Sequence, residues 1–129
     1  MKNLLMKIKD KTARIGIIGL GYTGLPLAIA FAKKVNVVGY DTNEKTVDYL
    51  LGGKSHILDV GDSDLKQYLN KSFYPTTNLK DLEKCDFIII CVPTPLTAEK
   101  EPDLRYIKNA CETIARILRL RRGQFVILE

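Results

Sequence analysis

Residues Ile15 to Lys34 read IGIIGLGYTGLPLAIAFAKK. An Ile-rich apolar run breaks at a turn holding Gly19, Gly21 and Gly24, and an apolar stretch resumes beyond it. A short apolar run closed by glycine reads as a strand buried on both faces, here Arg14 to Leu20. The stretch after the turn, Tyr22 to Lys34, reads as a helix. Its Pro26 falls in the first turn, where a missing N–H is tolerated.

In that setting the pattern Gly19-x-Gly21-x-x-Gly24 has a physical reading. The first glycine permits a tight turn, the second lets the backbone approach a diphosphate with no Cβ in the way, and the third allows close packing of helix on strand. The helix start adds unpaired N–H groups and partial positive charge. The pattern alone is weak; its context strengthens it. Val35 to Tyr40, VNVVGY, reads as a second strand, and Asp41 ends it. An acid about 20 residues past the turn is placed to accept the adenosine ribose hydroxyls and to repel a 2′-phosphate, which favours NAD over NADP. Lys45 keeps NADP open as the alternative, since a base near that loop can admit the extra phosphate. The competing structural reading has Asp41 merely capping the helix that follows.

Outward from this unit the chain alternates. Asn43 to Leu51 reads as a helix stopped at Gly52-Gly53. Lys54 to Gly61 reads as a loop, Ser63 to Asn70 as a short helix, Ser72 to Thr76 as a short edge strand, and Asn78 to Lys84 as a short helix or turn. Asp86 to Val92, DFIIICV, is the strongest strand signal and reads as central. Asp103 to Leu120 reads as an amphipathic helix capped by Asp103 and closed by Gly123, with Leu104, Ile107, Cys111, Ile114 and Leu118 on the apolar face. QFVILE reads as a last strand. Strand and helix in alternation predict an α/β fold of Rossmann type, a doubly wound, mainly parallel sheet with helices on both faces, cut off after the fifth or sixth strand. Residues 14–129 form this one domain and residues 1–13 an irregular or helical lead-in.

Composition agrees with one ordinary domain: 129 residues, 46% hydrophobic and 27% charged. The net charge of +5 comes with no Trp and no aromatic interleaving, and the cluster of Arg116, Arg119, Arg121 and Arg122 suits a helix C-terminus better than nucleic acid. No apolar run is long enough to span a bilayer, and the first residues make no convincing signal peptide. Neither nucleic acid nor membrane is therefore expected as a partner. Cys85, Cys91 and Cys111 show no metal or disulfide spacing and fit a reducing, cytoplasmic setting; Cys91 and Cys111 read as core thiols. His56, the single histidine, has no nucleophile pattern around it and reads as a surface or loop-packing residue rather than a catalytic one. Asp59, Asp62 and Asp64 lack the spacing of a calcium loop, so no metal is expected and helix capping accounts for them better.

The turn after the strongest strand, Val92-Pro93-Thr94-Pro95, lies where open parallel sheets bind ligands, beyond the strand ends near the switch in strand order. Thr94 can reach a cofactor there by its hydroxyl or backbone, and the two prolines stiffen the turn.

Together, IGIIGLGYTGLPLA, VVGYD, FIIICVPTPL and EPDL resemble the N-terminal domain of the UDP-glucose/GDP-mannose dehydrogenase family. The VPTPL…EPDL form is most similar to the branch acting on UDP-N-acetylglucosamine or UDP-N-acetylmannosamine. The resemblance spans Arg14 to Glu129. It implies an NAD-dependent enzyme, homo-oligomeric, that oxidises a sugar C6 alcohol to the carboxylate in two hydride transfers. It further implies that Gly19, Gly21, Tyr22, Thr23 and Gly24 line the diphosphate, that Asp41 holds the ribose, and that Val92, Pro93 and Thr94 flank the cofactor. Thr23 stands where the family often has Val. Thr46 stands where it commonly has Arg or Lys. The family's catalytic cysteine, lysine and asparagine come later than Glu129, so no residue here is assigned a catalytic role, and the chain is expected to bind NAD without oxidising a sugar; the UDP-sugar is a partner of the full-length protein only. Two other readings remain: the cofactor domain of a hydroxyacid or 6-phosphogluconate-type dehydrogenase, and a nucleotide-sensing module such as a potassium-channel regulatory domain.

Overall fold

A computed structural model describes residues 3–118 and 124–129. The elements run α1 (Leu4–Lys9), β1 (Arg14–Ile18), α2 (Gly24–Ala32), β2 (Asn36–Tyr40), α3 (Glu44–Leu51), α4 (Asp62–Tyr68), β3 (Phe73–Thr76), a 3-10 turn (Leu79–Leu82), β4 (Phe87–Ile90), α5 (Arg105–Ile117) and β5 (Phe125–Leu128). All five strands are parallel, in the order β3-β2-β1-β4-β5. The centre is β1, and β4 lies inside the sheet between β1 and β5 rather than at its middle. The order reverses between β1 and β4, so the chain turns outward in both directions from β1.

The period-2 alternation of strand side chains divides the apolar residues between two cores. Ile15, Ile17, Val37, Phe73 and Ile89 point to the face covered by Leu25, Ala28 and Ile29 of α2, Leu50 of α3 and Leu65 of α4. Ile18, Tyr40, Ile88 and Ile90 point to the other face, against Leu82, Cys85 and Ala110, Ile114 and Ile117 of α5. The doubly wound α/β reading therefore holds.

Differences of detail have physical causes. The helix α5 begins at Arg105, and Asp103 accepts the Arg105 backbone N–H at 3.1 Å from one position further out. Its buried stripe is Ala110, Ile114 and Ile117, while Leu104, Cys111 and Leu118 are exposed, so Cys111 is a surface thiol and not a core one. Cys91 and Cys85 are buried. The aspartates near α4 do not cap it: Gly61 is the N-cap, and Asp62 accepts the Ser55 N–H at 2.8 Å, tying the preceding loop to the helix start. Arg119, Leu120, Arg121, Arg122 and the proposed stop at Gly123 lie outside the described residues.

Candidate cofactor site

Beyond β1, β2 and β4 opens a cleft of about 460 Å³, lined by the glycine turn, by Asp41 to Asn43, by Cys91 to Pro93, and by Thr46, His56 and Tyr106. The turn forms because Gly19 sits at φ +98°, a conformation that favours glycine. A Cβ on Gly19 would also stand 2.7 Å from the Cys91 carbonyl oxygen, so turn and β4 end press together. A Cβ on Gly24 would overlap the Gly19 carbonyl, which lets α2 start directly against the turn. Gly21 differs from both: a Cβ there would meet nothing within 4 Å. The bare backbone of Gly21 borders open space, the cradle a diphosphate needs.

The acid that ends β2 braces this turn. Asp41 accepts the Leu20 N–H through Oδ2 at 3.0 Å and the Asn43 N–H through Oδ1 at 2.9 Å. A carboxylate offers about four acceptor sites, so each oxygen keeps one for a ligand hydroxyl. Capping of α3 falls to Asn43, whose side chain accepts the N–H groups of Lys45 and Thr46, and this frees Asp41 for the cleft. The helix α2 has no side-chain cap at Thr23, which leaves its first N–H groups free of that competitor.

Of the residues singled out from sequence, Gly19, Gly21, Tyr22, Thr23, Asp41, Val92 and Pro93 line the cleft. Gly24 lies just behind the turn. Thr94 is exposed on the loop beyond and is not among the lining residues. Thr46 faces the cleft; Lys45 does not line it. His56 is in the cleft, its Nε2 at 2.7 Å from the Leu20 carbonyl oxygen, a placement that sequence reasoning missed along with Tyr106 and Asn43. No local motif marks His56, since its contact spans 36 positions of sequence.

The thiol of Cys91 borders the cleft but is no nucleophile. Burial, with help from the Glu129 charge, pushes it up to about 11, so it stays protonated at neutral pH. Cys85 is pushed up to about 12 by burial and by Asp86. Among the described residues, no three His, Cys, Asp or Glu side chains gather as a metal site, and no helix is long and apolar enough to cross a membrane.

Comparison with known proteins agrees with this geometry. Residues 13–129 match the model of the UDP-glucose/GDP-mannose dehydrogenase family, NAD binding domain. The UDP-N-acetyl-D-glucosamine 6-dehydrogenase of Pseudomonas aeruginosa is 42% identical over 119 residues, 92% of this chain and 27% of that protein. Among solved structures, the UDP-D-ManNAc dehydrogenase of Pyrococcus horikoshii superposes with a TM-score of 0.83 at 39% identity, over 90% of this chain and 28% of that one. A ternary complex of GDP-mannose dehydrogenase from Pseudomonas aeruginosa gives 0.81 at 31% identity, over 89% of this chain and 28% of that one. The chain thus spans between a quarter and a third of the length of these proteins. It belongs to the UDP-glucose/GDP-mannose dehydrogenase family, as its NAD binding domain.

Proposed function

We propose that this chain serves as the cofactor domain of an enzyme that oxidises the C6 alcohol of a UDP-N-acetylhexosamine, or of UDP-glucose, to the carboxylate with two NAD. The observation that carries the reading is the Asp41 carboxylate, held between the Leu20 and Asn43 N–H groups beside an open glycine cradle. NAD bound in the cleft supplies the hydride acceptor.

The chain's own residues bind and orient. Gly19, Gly21, Tyr22 and Thr23 form the diphosphate side, with Gly24 and the uncapped start of α2 behind them. Asp41 takes the ribose hydroxyls on its remaining acceptor sites. Its charge opposes a 2′-phosphate, and Lys45 lies outside the cleft lining, which supports NAD over NADP. Val92 and Pro93 form the wall on the β4 side, with Thr94 on the exposed loop beyond it. Support for the acetylated sugars comes from the similarity to dehydrogenases named for UDP-N-acetyl-D-glucosamine and UDP-D-ManNAc. We further take the whole enzyme to be a cytoplasmic homo-oligomer that uses neither nucleic acid nor membrane.

Calorimetric titration with NAD and NADP tests the cofactor reading. Tighter binding of NAD is expected; tighter binding of NADP would overturn the role given to Asp41. The sugar is tested by following NADH formation by the intact gene product with UDP-N-acetylglucosamine, UDP-N-acetylmannosamine and UDP-glucose. Turnover of none of the three would overturn the dehydrogenase reading.

A further inference from the structure

The single residue between the first two glycines of the turn, Leu20, is held through both of its flanking peptide units. The Leu20 N–H donates to Asp41, and the Leu20 carbonyl oxygen lies 2.7 Å from His56 Nε2. A carbonyl oxygen can only accept, so Nε2 is the nitrogen that carries the proton. The Leu20 side chain is fully buried and cannot shift to follow a displaced backbone. The residue on which the approach of Gly21 to a ligand depends is thus fixed at its side chain and at both backbone polar groups.

The loop that delivers His56 is itself tied down on either side. Ser55 donates its N–H to Asp62 at 2.8 Å and its hydroxyl to the Ile57 carbonyl at 2.9 Å, and Ile57 is buried in the core beneath α2. The imidazole is presented from a fixed base, not from a free surface loop. It reaches across 36 positions of sequence to the carbonyl that precedes Gly21.

The geometry points to His56 as a positioning residue for cofactor binding: with Asp41 it clamps Leu20, and so keeps the Gly21 backbone in the diphosphate-accepting shape. This rests on the NAD reading above. It assigns His56 no contact with the reacting atoms and no proton transfer. The clamp acts by pre-organisation, removing from the binding step the cost of ordering the turn.

The test compares the wild-type chain with His56→Leu and His56→Gln, measuring Kd for NAD by calorimetry and thermal midpoint without ligand. Gln can place an N–H donor near the position of Nε2, whereas Leu keeps bulk and loses the donor. One net hydrogen bond to the turn predicts that His56→Leu weakens NAD binding about five- to tenfold, while His56→Gln stays within about twofold of wild type. If wild type binds NAD and His56→Leu binds it equally well, the clamp is refuted while the cofactor reading stands. Equal weakening by Leu and Gln, or a loss explained by a fall in thermal midpoint below the assay temperature for both, refutes the donor role. A wild-type chain that binds no NAD refutes the cofactor reading itself.

Discussion

The Leu20 N–H meets the Asp41 carboxylate at 3.0 Å, across 21 positions of sequence. That bond joins the glycine turn after β1 to the end of β2. It makes the acid both a brace for the turn and a cleft-facing group. The parallel register that sets Ile18 beside Tyr40 brings the two strand ends level, so the contact follows from the sheet.

Replacing Asp41 therefore has two consequences. Asp41→Ala removes the acceptor for two backbone N–H groups and, with it, the proposed ribose partner. Charge-assisted hydrogen bonds contribute about 1.5–3 kcal/mol each, so NAD binding should weaken by at least about tenfold. Discrimination against NADP should shrink as well, since the repelling charge is gone. Parallel titrations with both nucleotides read the two effects; unchanged discrimination would show that another residue excludes the 2′-phosphate.

Gly21→Ala and Gly24→Ala separate fold from function. A methyl on Gly24 overlaps the Gly19 carbonyl, and the strain of overpacking, about 1–3 kcal/mol, outweighs the gain of about 1 kcal/mol that alanine brings to a helix. That variant should melt at lower temperature. A methyl on Gly21 meets nothing and should leave the melting temperature nearly unchanged. It adds bulk at backbone that lines the cleft, so under the proposed NAD reading the affinity should fall by more than about tenfold, a loss of the size expected when a buried partner is displaced. Thermal melts beside titrations distinguish the pair.

The order of strands and helices was legible because each strand is a short apolar run and most helices end at glycine or a polar cap. The glycine turn and Asp41 were legible because their spacing is local. The face of α5 was legible only in part: of the expected residues Ile114 is buried and Ile107 half-buried. Leu104, Cys111 and Leu118 repeat every seven residues and look like an apolar seam, yet the sheet takes the neighbouring stripe of Ala110, Ile114 and Ile117. Close approach of the helix to Ile88 and Ile90 is easier over alanine than over leucine, and local hydropathy does not encode that preference. His56 was illegible for a different reason: a loop residue's partner is fixed only when α4 and the core position the loop.

The outward phase of α5 sets the order of thiol reactivity. Cys111 is exposed, whereas Cys85 and Cys91 are buried with thiols pushed up to about 12 and about 11. Only thiolates alkylate readily. Brief treatment of the folded protein with iodoacetamide at mildly alkaline pH should label Cys111 alone, and all three cysteines should label in denaturant. Mass spectrometry of the peptides checks this; early labelling of Cys91 would show that the end of β4 opens on the experimental timescale.

The approach to α5 carries an acid-sensitive pair. The Arg105 guanidinium, bonded to Asp103 at 2.7 Å, and the Arg105 backbone N–H hold the Asp103 carboxyl below its usual value. A depressed folded-state value means that the stabilisation is fully present above the unfolded value, about 3.9, and is lost as pH falls through the folded one. Asp103→Asn should therefore lower the melting temperature at neutral pH and leave it closer to wild type in strong acid. Melts across that range test the sign; an equal deficit at all pH values would refute it.

Asp86 offers the sharpest test of how the lead-in is attached. Its carboxylate accepts the Arg14 N–H at 2.9 Å and the Lys7 ammonium at 2.7 Å, so one side chain fastens both the start of β1 and the helix α1. Its backbone meanwhile pairs with the Arg14 carbonyl and the Phe125 N–H, which places it between β1 and β5. Lys7 is 30% exposed, so Lys7→Ala removes one partly solvated ion pair and should cost less than about 1 kcal/mol. Asp86→Ala also strands the Arg14 N–H and should cost about 1–3 kcal/mol. Asp86→Asn keeps an acceptor for Arg14 while losing the charge, and should fall between them. If the three variants melt alike, the α1 attachment rests on packing alone. The expected order, Lys7→Ala mildest and Asp86→Ala most severe, would instead identify Asp86 as the residue that joins the lead-in to the sheet.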